Sequence, residues 1–398
     1  MGVKLGLKEN WQQFSLLVVI NAFVGGMVGL ERSILPRLAS EEFQIASHTA
    51  IFSFIIVFGI VKAITNFFAG HLANSVGRRR LLIYGWLFAI PIPFLLMWAP
   101  SWNWIILANV LLGINQGLAW SSTVTMKIDL VGDKQRGLAM GINEFAGYLS
   151  IGLIALLTAW IAETYGIRPY PFYVGILFVV LGLFFSFLWV KDTSHFVQTA
   201  ASSSTIELLK NRFWDTSLLN RNLGSITQAG LVNNMNDGMM WGLFPILLAA
   251  KGFTLAEIGF ITALYPMVWG IAQLGTGSLS DFLCQKDLLF IGMLFQGVAI
   301  LGLLYVDSFL AFATLSFALG LGTALVYPTF LASIAENTHP NDRAASLGIF
   351  RFWRDLGYAL GAILTGILAD YFEFNVSILV IGCLTLLSAG VVKSRMTC

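Results

Sequence analysis

Charged residues are scarce in this sequence: they make up 11% of its 398 residues, against about 25% in typical soluble domains. Hydrophobic residues make up 57% of the chain. A soluble core cannot hide that much apolar surface, because long soluble chains divide into domains with polar exteriors. The shortage of charge therefore excludes an ordinary soluble protein, and the net charge of +2 gives no indication of nucleic-acid binding.

Cysteine and histidine are also rare. Cys284, Cys383 and Cys398 are scattered, without the spacing of a metal site or a redox pair. The four histidines lie apart, and the chain has no P-loop and no G-x-S-x-G motif. The sequence therefore predicts no enzyme, no metal and no cofactor, and it excludes an ATP-driven pump within this chain.

Long apolar segments are what the sequence has in abundance. About 20 helical residues cross the hydrocarbon core of a bilayer. Twelve segments of suitable length lie near 14–36, 48–70, 81–99, 103–126, 138–161, 171–190, 222–250, 255–277, 288–306, 309–333, 345–369 and 375–392. The expected fold is an all-α membrane protein with twelve transmembrane helices.

A polar stretch divides these segments into six and six. It predicts an N-terminal bundle at 1–190, a cytoplasmic linker at 191–221 and a C-terminal bundle at 222–398. Basic residues favour cytoplasmic loops. With the N-terminus inside, 16 basic residues, Lys127 among them, fall in inner loops and tails, against 3 in outer loops. We therefore expect a multi-pass protein of the cytoplasmic membrane with both termini inside and no cleaved signal peptide.

The two halves correspond when the sequence is shifted by 207 residues. Gly70 then matches Gly277, and Arg136 matches Arg343. The loop after the second segment follows much of the pattern G-x-L-x-D-R-x-G-R-R/K, with Asn74 in place of the acid. The second copy keeps that acid as Asp281. Parallel six-helix repeats are a known transporter architecture.

With these loops, segments and repeats, the chain resembles the major facilitator superfamily over essentially its whole length. The resemblance implies two six-helix bundles, alternating access and a cytoplasmic latch formed by the loops. The latch positions are Gly70, Asn74, Gly77, Arg78, Arg79, Gly277, Asp281, Arg136 and Arg343. Asp281 is expected to act on the start of helix 5, and Asn74 lacks the charge to do so. The alternative is that both loops are tight turns with anchoring arginines.

Charged side chains inside the segments are informative, since each costs about 2.5–3.5 kcal/mol at the bilayer centre. Asp237 lies in a polar run of segment 7 with Asn233 and Asn236. Such a cluster indicates a helix that lines a water-filled cleft. The alternative is that Asp237 stabilises a helix break at Gly238.

Segment 11 carries a second group of charges. Arg351 and Asp355 are four residues apart and share a helical face, so they are expected to pair. Arg354 is then a surplus cation for an acid on another helix or for an anionic solute. Glu144 occupies the position equivalent to Arg351 in the first half. It is expected either to pair with Arg351 or Arg354 or to take up a proton.

Further polar residues are weaker candidates. Glu31 and Arg32 end segment 1 and are expected to form an interfacial pair or an outer gate. Lys62 is expected to snorkel or to face Asn21. Asn21, Asn115 and Gln116 complete the candidate cavity positions.

The function that we expect is secondary active transport of an unidentified small solute, driven by protons through buried carboxylates. Efflux by antiport is slightly favoured. The alternatives are a solute–proton symporter, or a receptor or lipid-handling protein on the same fold. Asn109 replaces the helix 4 arginine of proton-coupled drug exporters, so the resemblance does not point to drug export in particular. The expected partners are the solute, protons and the lipid bilayer, with no nucleic acid and a monomeric chain.

Overall fold

The apolar segments of the sequence form long helices. A computed structural model describes residues 4–32, 34–45, 48–132, 135–202, 204–253 and 255–398, and no strand occurs among them. The long helices are α1 (Trp11–Arg32), α2 (His48–Leu72), α3 (Arg78–Ala89, continued by Pro91–Trp98), α4 (Trp102–Val131), α5 (Arg136–Tyr165), α6 (Tyr173–Leu188), α7 (Arg221–Ala250), α8 (Leu255–Leu279), α9 (Gln285–Gly302), α10 (Phe309–Glu336), α11 (Pro340–Tyr371) and α12 (Phe374–Arg395). The predicted all-α fold with twelve long helices is confirmed.

The surface of these helices is apolar, as a bilayer requires. Nine helices within the described residues are long and apolar enough to cross a membrane. Large side chains such as Leu156, Phe187 and Leu387 are exposed, whereas many polar and charged side chains inside the helices, such as Asn21, Glu144 and Asp237, are buried. This distribution reverses that of a soluble protein, because lipid and not water solvates the outside.

Two compact units make up the chain. Unit 1 comprises Met1–Gln135, Asn143–Thr205 and Pro340–Gly348, and unit 2 comprises Arg136–Ile142, Ile206–His339 and Ile349–Cys398. The first turns of α5 therefore belong to unit 2, and the first turns of α11 belong to unit 1. The domain boundaries drawn from the sequence stay a prediction.

Helix packing inside the two units follows one plan. In unit 1, α4 packs against α1, α2 and α3, and α6 packs against α1 and α3. In unit 2, α10 packs against α7, α8 and α9, and α12 packs against α7 and α9. These are the same pairs after a shift of six helices, as expected for a duplicated unit.

The ends and breaks of the helices follow local chemistry. Asn220 caps α7, since its side-chain oxygen accepts from the N–H groups of Asn222 and Leu223 at 3.0 Å each. Pro91 has no N–H group to donate, and α3 is interrupted there. Gly77 precedes α3 with φ of 94°, a conformation that favours glycine.

The spacing of the cysteines predicted that all three lie apart, and this is wrong for two of them. Cys284 and Cys398 form a disulfide across 114 residues of sequence. Cys383 is free and exposed. Sequence spacing gave no indication of this pair, because helices α9–α12 bring the two cysteines together.

Candidate functional site

Glu144 of α5 is fully buried in unit 1. Its Oε1 accepts hydrogen bonds from Nδ2 of Asn143 at 2.6 Å and from Nε1 of Trp120 at 3.3 Å. Its Oε2 has no hydrogen-bond partner among the described residues. The predicted pairing of Glu144 with Arg351 or Arg354, which belong to unit 2, stays a prediction.

Lys127 is a buried cation that the sequence interpretation missed. It lies inside α4 with none of its surface exposed, and not in an inner loop as predicted. Its Nζ donates to Oδ1 of Asn143, whose amide nitrogen donates to Glu144. Asn143 thus links a buried cation to a buried carboxylate. The polar run at the end of segment 4 hid this position, because it reads as the start of a loop.

Lys62 of α2 lies over two aromatic rings of unit 1. Its Nζ is 5.5 Å from the ring centre of Phe58 and 5.7 Å from that of Trp120. Trp120 therefore connects the cation to Glu144, to which its indole donates. Asn21 instead donates to the carbonyl of Asn143 at 2.9 Å and accepts from the hydroxyl of Thr123 at 2.8 Å.

Asn115 and Gln116 fasten α4 to its neighbours in unit 1. Asn115 Nδ2 donates to the carbonyl of Gly85 in α3 at 3.0 Å. Gln116 Nε2 donates to the carbonyl of Val24 in α1 at 2.7 Å. Both contacts are those of residues that hold helices together, and contact of either residue with a solute stays a prediction.

Glu31 is buried near the end of α1 in unit 1. Its Oε2 accepts from Nδ2 of Asn109 in α4 at 3.2 Å. Asn109 is the position at which the sequence departs from proton-coupled drug exporters, so the amide supplies a neutral donor to this acid. The side chain of Arg32 lies outside the described residues, and the outer gate formed by Glu31 and Arg32 stays a prediction.

Asp237 of α7 is the buried carboxylate at the centre of a hydrogen-bonded group in unit 2. The hydroxyl of Tyr265 in α8 donates to its Oδ1, and the same hydroxyl lies 3.3 Å from Oγ1 of Thr323 in α10. All three side chains are buried. Helix α7 continues through Gly238 without a break, so the alternative role in a helix break is wrong.

The asparagines beside Asp237 point in different directions. Asn236 donates to Gln296 of α9 at 2.9 Å and accepts from Thr385 of α12 at 2.7 Å, within the interior of unit 2. Asn233 donates to Asn234 at 3.3 Å. Asn234 also accepts from the hydroxyl of Tyr327 in α10 at 3.1 Å. The helical period of 3.6 residues did not predict which of these side chains share a face, because four polar residues lie within five consecutive positions.

Arg354 is not the surplus cation that the spacing predicted. Its Nε and Nη2 donate to Oδ1 of Asp355 at 2.9 and 2.7 Å, and both residues are buried in unit 2. Its guanidinium also lies 5.5 Å from the ring centre of Tyr327. The long Arg354 side chain folds back onto its neighbour in the chain, and the predicted pairing of Arg351 with Asp355 stays a prediction. Arg351 is buried as well.

Asp281 lies at the start of α5, as predicted. Its two carboxylate oxygens accept from the backbone N–H groups of Gly137 at 2.7 Å and Leu138 at 3.0 Å, within unit 2. These are donors that a helix start leaves unsatisfied. Gly277 and Gly141 allow the close approach, since a Cβ on Gly277 would lie 2.8 Å from Cα of Gly141. We call this group of contacts the α5 junction.

The equivalent α11 junction in unit 1 is built differently. Asn74 Nδ2 donates to the carbonyl of Asn341 at 2.7 Å, and its Oδ1 accepts from Arg78 at 2.8 Å. Arg78 Nε is also 3.1 Å from Oδ2 of Asp129, which is buried at the end of α4. The charge of Arg343 acts on the same carboxylate.

The remaining latch positions surround these two junctions. Gly70 approaches Gly348 so closely that a Cβ on Gly70 would lie 2.8 Å from its Cα. The N–H of Arg79 donates to Asp192 at 3.1 Å, next to the Gly77 turn. Arg136 is buried in the first turn of α5. A role in gating stays a prediction for all of them.

Comparisons with known proteins agree with this architecture. A family model described as Major Facilitator Superfamily matches residues 14–223 and 226–394. The multidrug resistance protein MdtG of Escherichia coli K12 is 23% identical over 392 residues, which is 96% of this chain and 93% of that protein. The fold is similar to that of the human organic anion transporter MFSD10, with a TM-score of 0.79 and 14% identity over 96% of this chain and 99% of that one. It is also similar to the proton:xylose symporter XylE, with a TM-score of 0.72 and 14% identity over 96% and 95% of the two chains. The chain therefore belongs to the Major Facilitator Superfamily of secondary transporters and is a multi-pass membrane protein.

Proposed function

We propose that this transporter exports a small solute in exchange for protons, and that Glu144 and Asp237 are its proton-carrying groups. The observation that carries the proposal is Glu144, a fully buried carboxylate with an oxygen that accepts no hydrogen bond among the described residues. Such a group is held more cheaply when neutral. It takes up a proton when water reaches it from one side and releases the proton when water reaches it from the other.

The surroundings of Glu144 support this role. The groups that donate to it are an indole and an amide, and both are neutral. Lys127 donates to Asn143, and Asn143 donates to Glu144. The ionised form of Glu144 therefore has a cation linked to it through one asparagine side chain. The same carboxyl group is therefore tolerated in both states, which a proton carrier requires.

Asp237 is the second proton-carrying group in this proposal. The Tyr265 hydroxyl donates to it and also lies 3.3 Å from Oγ1 of Thr323, so the carboxylate belongs to a buried group of hydroxyl-bearing side chains. The Asp355 carboxylate differs, because Arg354 neutralises it. We therefore assign Asp355 to holding the α11 charges in place, and we assign Arg351 and Arg354 to orienting an anionic part of the solute.

The two junctions serve as the cytoplasmic latch in this proposal. Asp281 binds the N-terminal turn of α5 with two charge-assisted hydrogen bonds. Arg78 ties the α11 junction to Asp129. Breaking and remaking such contacts gives the alternating access of the family a defined closed position on one side.

The direction of transport is proposed from similarity and composition. MdtG, 23% identical to this chain, is named a multidrug resistance protein, which favours export. Proton-coupled drug exporters have an arginine in helix 4, whereas this chain has Asn109 at that position, and Asn109 donates to Glu31. We therefore propose export of an unidentified small solute by a monomer in the cytoplasmic membrane with both termini inside.

Proton movement in proteoliposomes tests the proposal. A panel of metabolites and amphipathic compounds is offered to the wild type, Glu144→Gln and Asp237→Asn, with Glu163→Gln as the control. Glu163 lies in the same helix as Glu144 and is exposed. We expect a compound to drive proton movement in the wild type and the control, and each test variant to reduce it at least about tenfold.

Solute exchange without a pH gradient separates coupling from folding. Glutamine and asparagine mimic the protonated acids, so both variants should still exchange labelled solute across the membrane. Proton movement that survives in both variants contradicts the proposed carriers. Loss of exchange in both variants assigns the two residues to solute binding and also contradicts the proposal.

A further inference from the structure

The disulfide of unit 2 joins two cysteines that the transport proposal leaves unused. Cys284 stands directly before α9, Cys398 follows α12, and their Cα atoms are 5.6 Å apart. We propose that these cysteines are a reversible dithiol–disulfide couple, an oxidative modification site that fastens the chain after α12 to the loop between α8 and α9.

Non-covalent contacts to α9 and to the chain around the start of α7 hold the segment that carries Cys398 in place beside the bond. Lys393 Nζ is 2.8 Å from Oδ1 of Asp287 in the first turn of α9. The N–H of Thr397 donates to Oδ1 of Asn222 at 3.0 Å, and Arg395 donates to the carbonyl of Leu218 at 2.8 Å. These contacts do not depend on the sulfur atoms. They keep Cys398 close to Cys284 in the reduced protein, so the second sulfur is in place when the first is oxidised.

The surroundings of the pair favour reaction with small thiols and disulfides. Cys284 is half-buried and Cys398 is exposed, so solvent reaches both. Cys284 precedes the N-terminus of an 18-residue helix, where a thiolate is stabilised. Its sulfur, the sulfur of Cys398 and a carboxylate oxygen of Asp287 lie within 4.8 Å of one another. Cys383 lies elsewhere on α12 and has no part in the couple.

The oxidation is a thiol–disulfide exchange with a small-molecule disulfide such as oxidised glutathione. The Cys284 thiolate attacks one sulfur of the glutathione disulfide, whose S–S bond breaks and releases one glutathione thiolate. The Cys398 thiolate then attacks Sγ of Cys284, and the second glutathione thiolate leaves. The two protein thiols lose two protons and two electrons, and the oxidant becomes two thiols. Reduced glutathione reverses both steps.

The bond has a defined structural consequence. The loop between α8 and α9 also carries Asp281, whose carboxylate caps α5. Oxidation therefore adds a covalent tie between this loop and the chain after α12. The basic-residue distribution places the loop on the cytoplasmic side, where thiols are usually reduced. The couple would then respond to oxidising conditions in the cell.

Thiol counting tests the proposal on the full chain. In a Cys383→Ser background, membranes are equilibrated in glutathione buffers from fully reduced to fully oxidised, quenched with acid, denatured and labelled with maleimide-polyethylene glycol. We expect two labels per chain in the reduced buffer, none in the oxidised buffer, and two again after return to the reduced buffer. Cys284→Ser and Cys398→Ser should each carry one label in the reduced buffer and form no bond within the chain.

Peptide mapping identifies the bond. After digestion without reductant, mass spectrometry of the oxidised sample should find one peptide pair that contains both Cys284 and Cys398. Two labels in every buffer, a bond only between different chains, or a bond that resists reduced glutathione would each overturn the proposal. The measurement needs no solute, so its outcome is independent of the proposed transport activity.

Discussion

The two units share one helix-packing plan, but Glu144 of unit 1 and Asp355 of unit 2 are held in different ways. Glu144 in unit 1 is bonded to neutral donors, whereas Asp355 in unit 2 forms an ion pair with Arg354. Removing one partner of a buried ion pair is costly, because the other partner stays charged and out of contact with water. A carboxylate among neutral donors changes its charge by taking up a proton. The difference separates a group suited to proton transfer from one suited to holding charges in place.

The two junctions also differ in the charged residues that they contain. The α5 junction has the helix-capping acid, Asp281, and the equivalent position of the α11 junction is Asn74. The α11 junction has the buried pair of Arg78 with Asp129, and the position equivalent to Asp129 is Glu336, which is exposed. Each junction thus keeps one part of an interaction set after duplication, and we expect the two to respond differently to mutation.

The largest effect is expected from breaking the buried ion pair of unit 2. Arg354→Leu removes the cation that donates two hydrogen bonds to the buried Asp355 carboxylate, and should lower the free energy of unfolding by about 3–5 kcal/mol. The double variant Arg354→Leu/Asp355→Leu should recover most of this loss. Denaturant unfolding of the purified protein measures both. Lys393→Leu, which removes an exposed ion pair, is the control and should cost at most about 1 kcal/mol. A single variant as stable as the wild type would contradict the structural role.

Glycine substitutions test whether both junctions depend on close helix approach. A Cβ on Gly141 would lie 2.4 Å from the carbonyl oxygen of Gln273, and one on Gly348 would lie 2.7 Å from that of Asn66. Alanine at either position should therefore cost about 1–3 kcal/mol. Thermal unfolding gives the measurement.

Gly152 is the matched control for these two glycines. A Cβ on Gly152 would meet nothing within 4 Å. Gly152→Ala should be neutral or stabilise the protein by up to about 1 kcal/mol, since alanine favours the helix. Equal stability of all three variants would show that the junctions tolerate a wider separation.

The acid of the α5 junction gives a smaller effect. Asp281→Ala removes both cap hydrogen bonds and should cost about 0.5–2 kcal/mol. Asp281→Asn makes this junction resemble the other one, keeps one acceptor oxygen and should cost less, about 0.3–1 kcal/mol. Thermal unfolding of the two variants beside the wild type checks the order. If both variants lose the same stability, charge and not hydrogen bonding dominates.

The smallest effect concerns Asp192, which supports the α11 junction. Burial raises the pKa of this carboxyl, but hydrogen bonds from Ser194 and from the N–H of Arg79 outweigh it and hold the pKa below its ordinary value of 3.8. Asp192 therefore stabilises the folded state above that ordinary value, and the contribution is lost as the pH falls through the lowered pKa. The stability difference between the wild type and Asp192→Asn should be constant near neutral pH and shrink below pH 3.8. A difference that does not change with pH would contradict the role.

Much of the helix layout could be predicted from the sequence, because a bilayer demands long apolar segments. The position of Asp281 at the start of α5 was also predicted, from the loop pattern. Lys127 was placed in a loop because helices here extend beyond their apolar parts. Arg354 was predicted to be a surplus cation because the four-residue spacing rule does not consider a pair between adjacent residues.

By itself, then, the sequence determined the number and order of the helices, the duplication and the class of the protein. These depend on hydrophobicity and repetition, which are properties of the chain read along its length. Only the tertiary structure decided which buried groups meet: Lys127 with Asn143, Tyr265 with Asp237, and Cys284 with Cys398. Each of those contacts joins residues that lie in, or directly beside, two different helices. They depend on helix rotation and distance, which the spacing of residues along the chain does not specify.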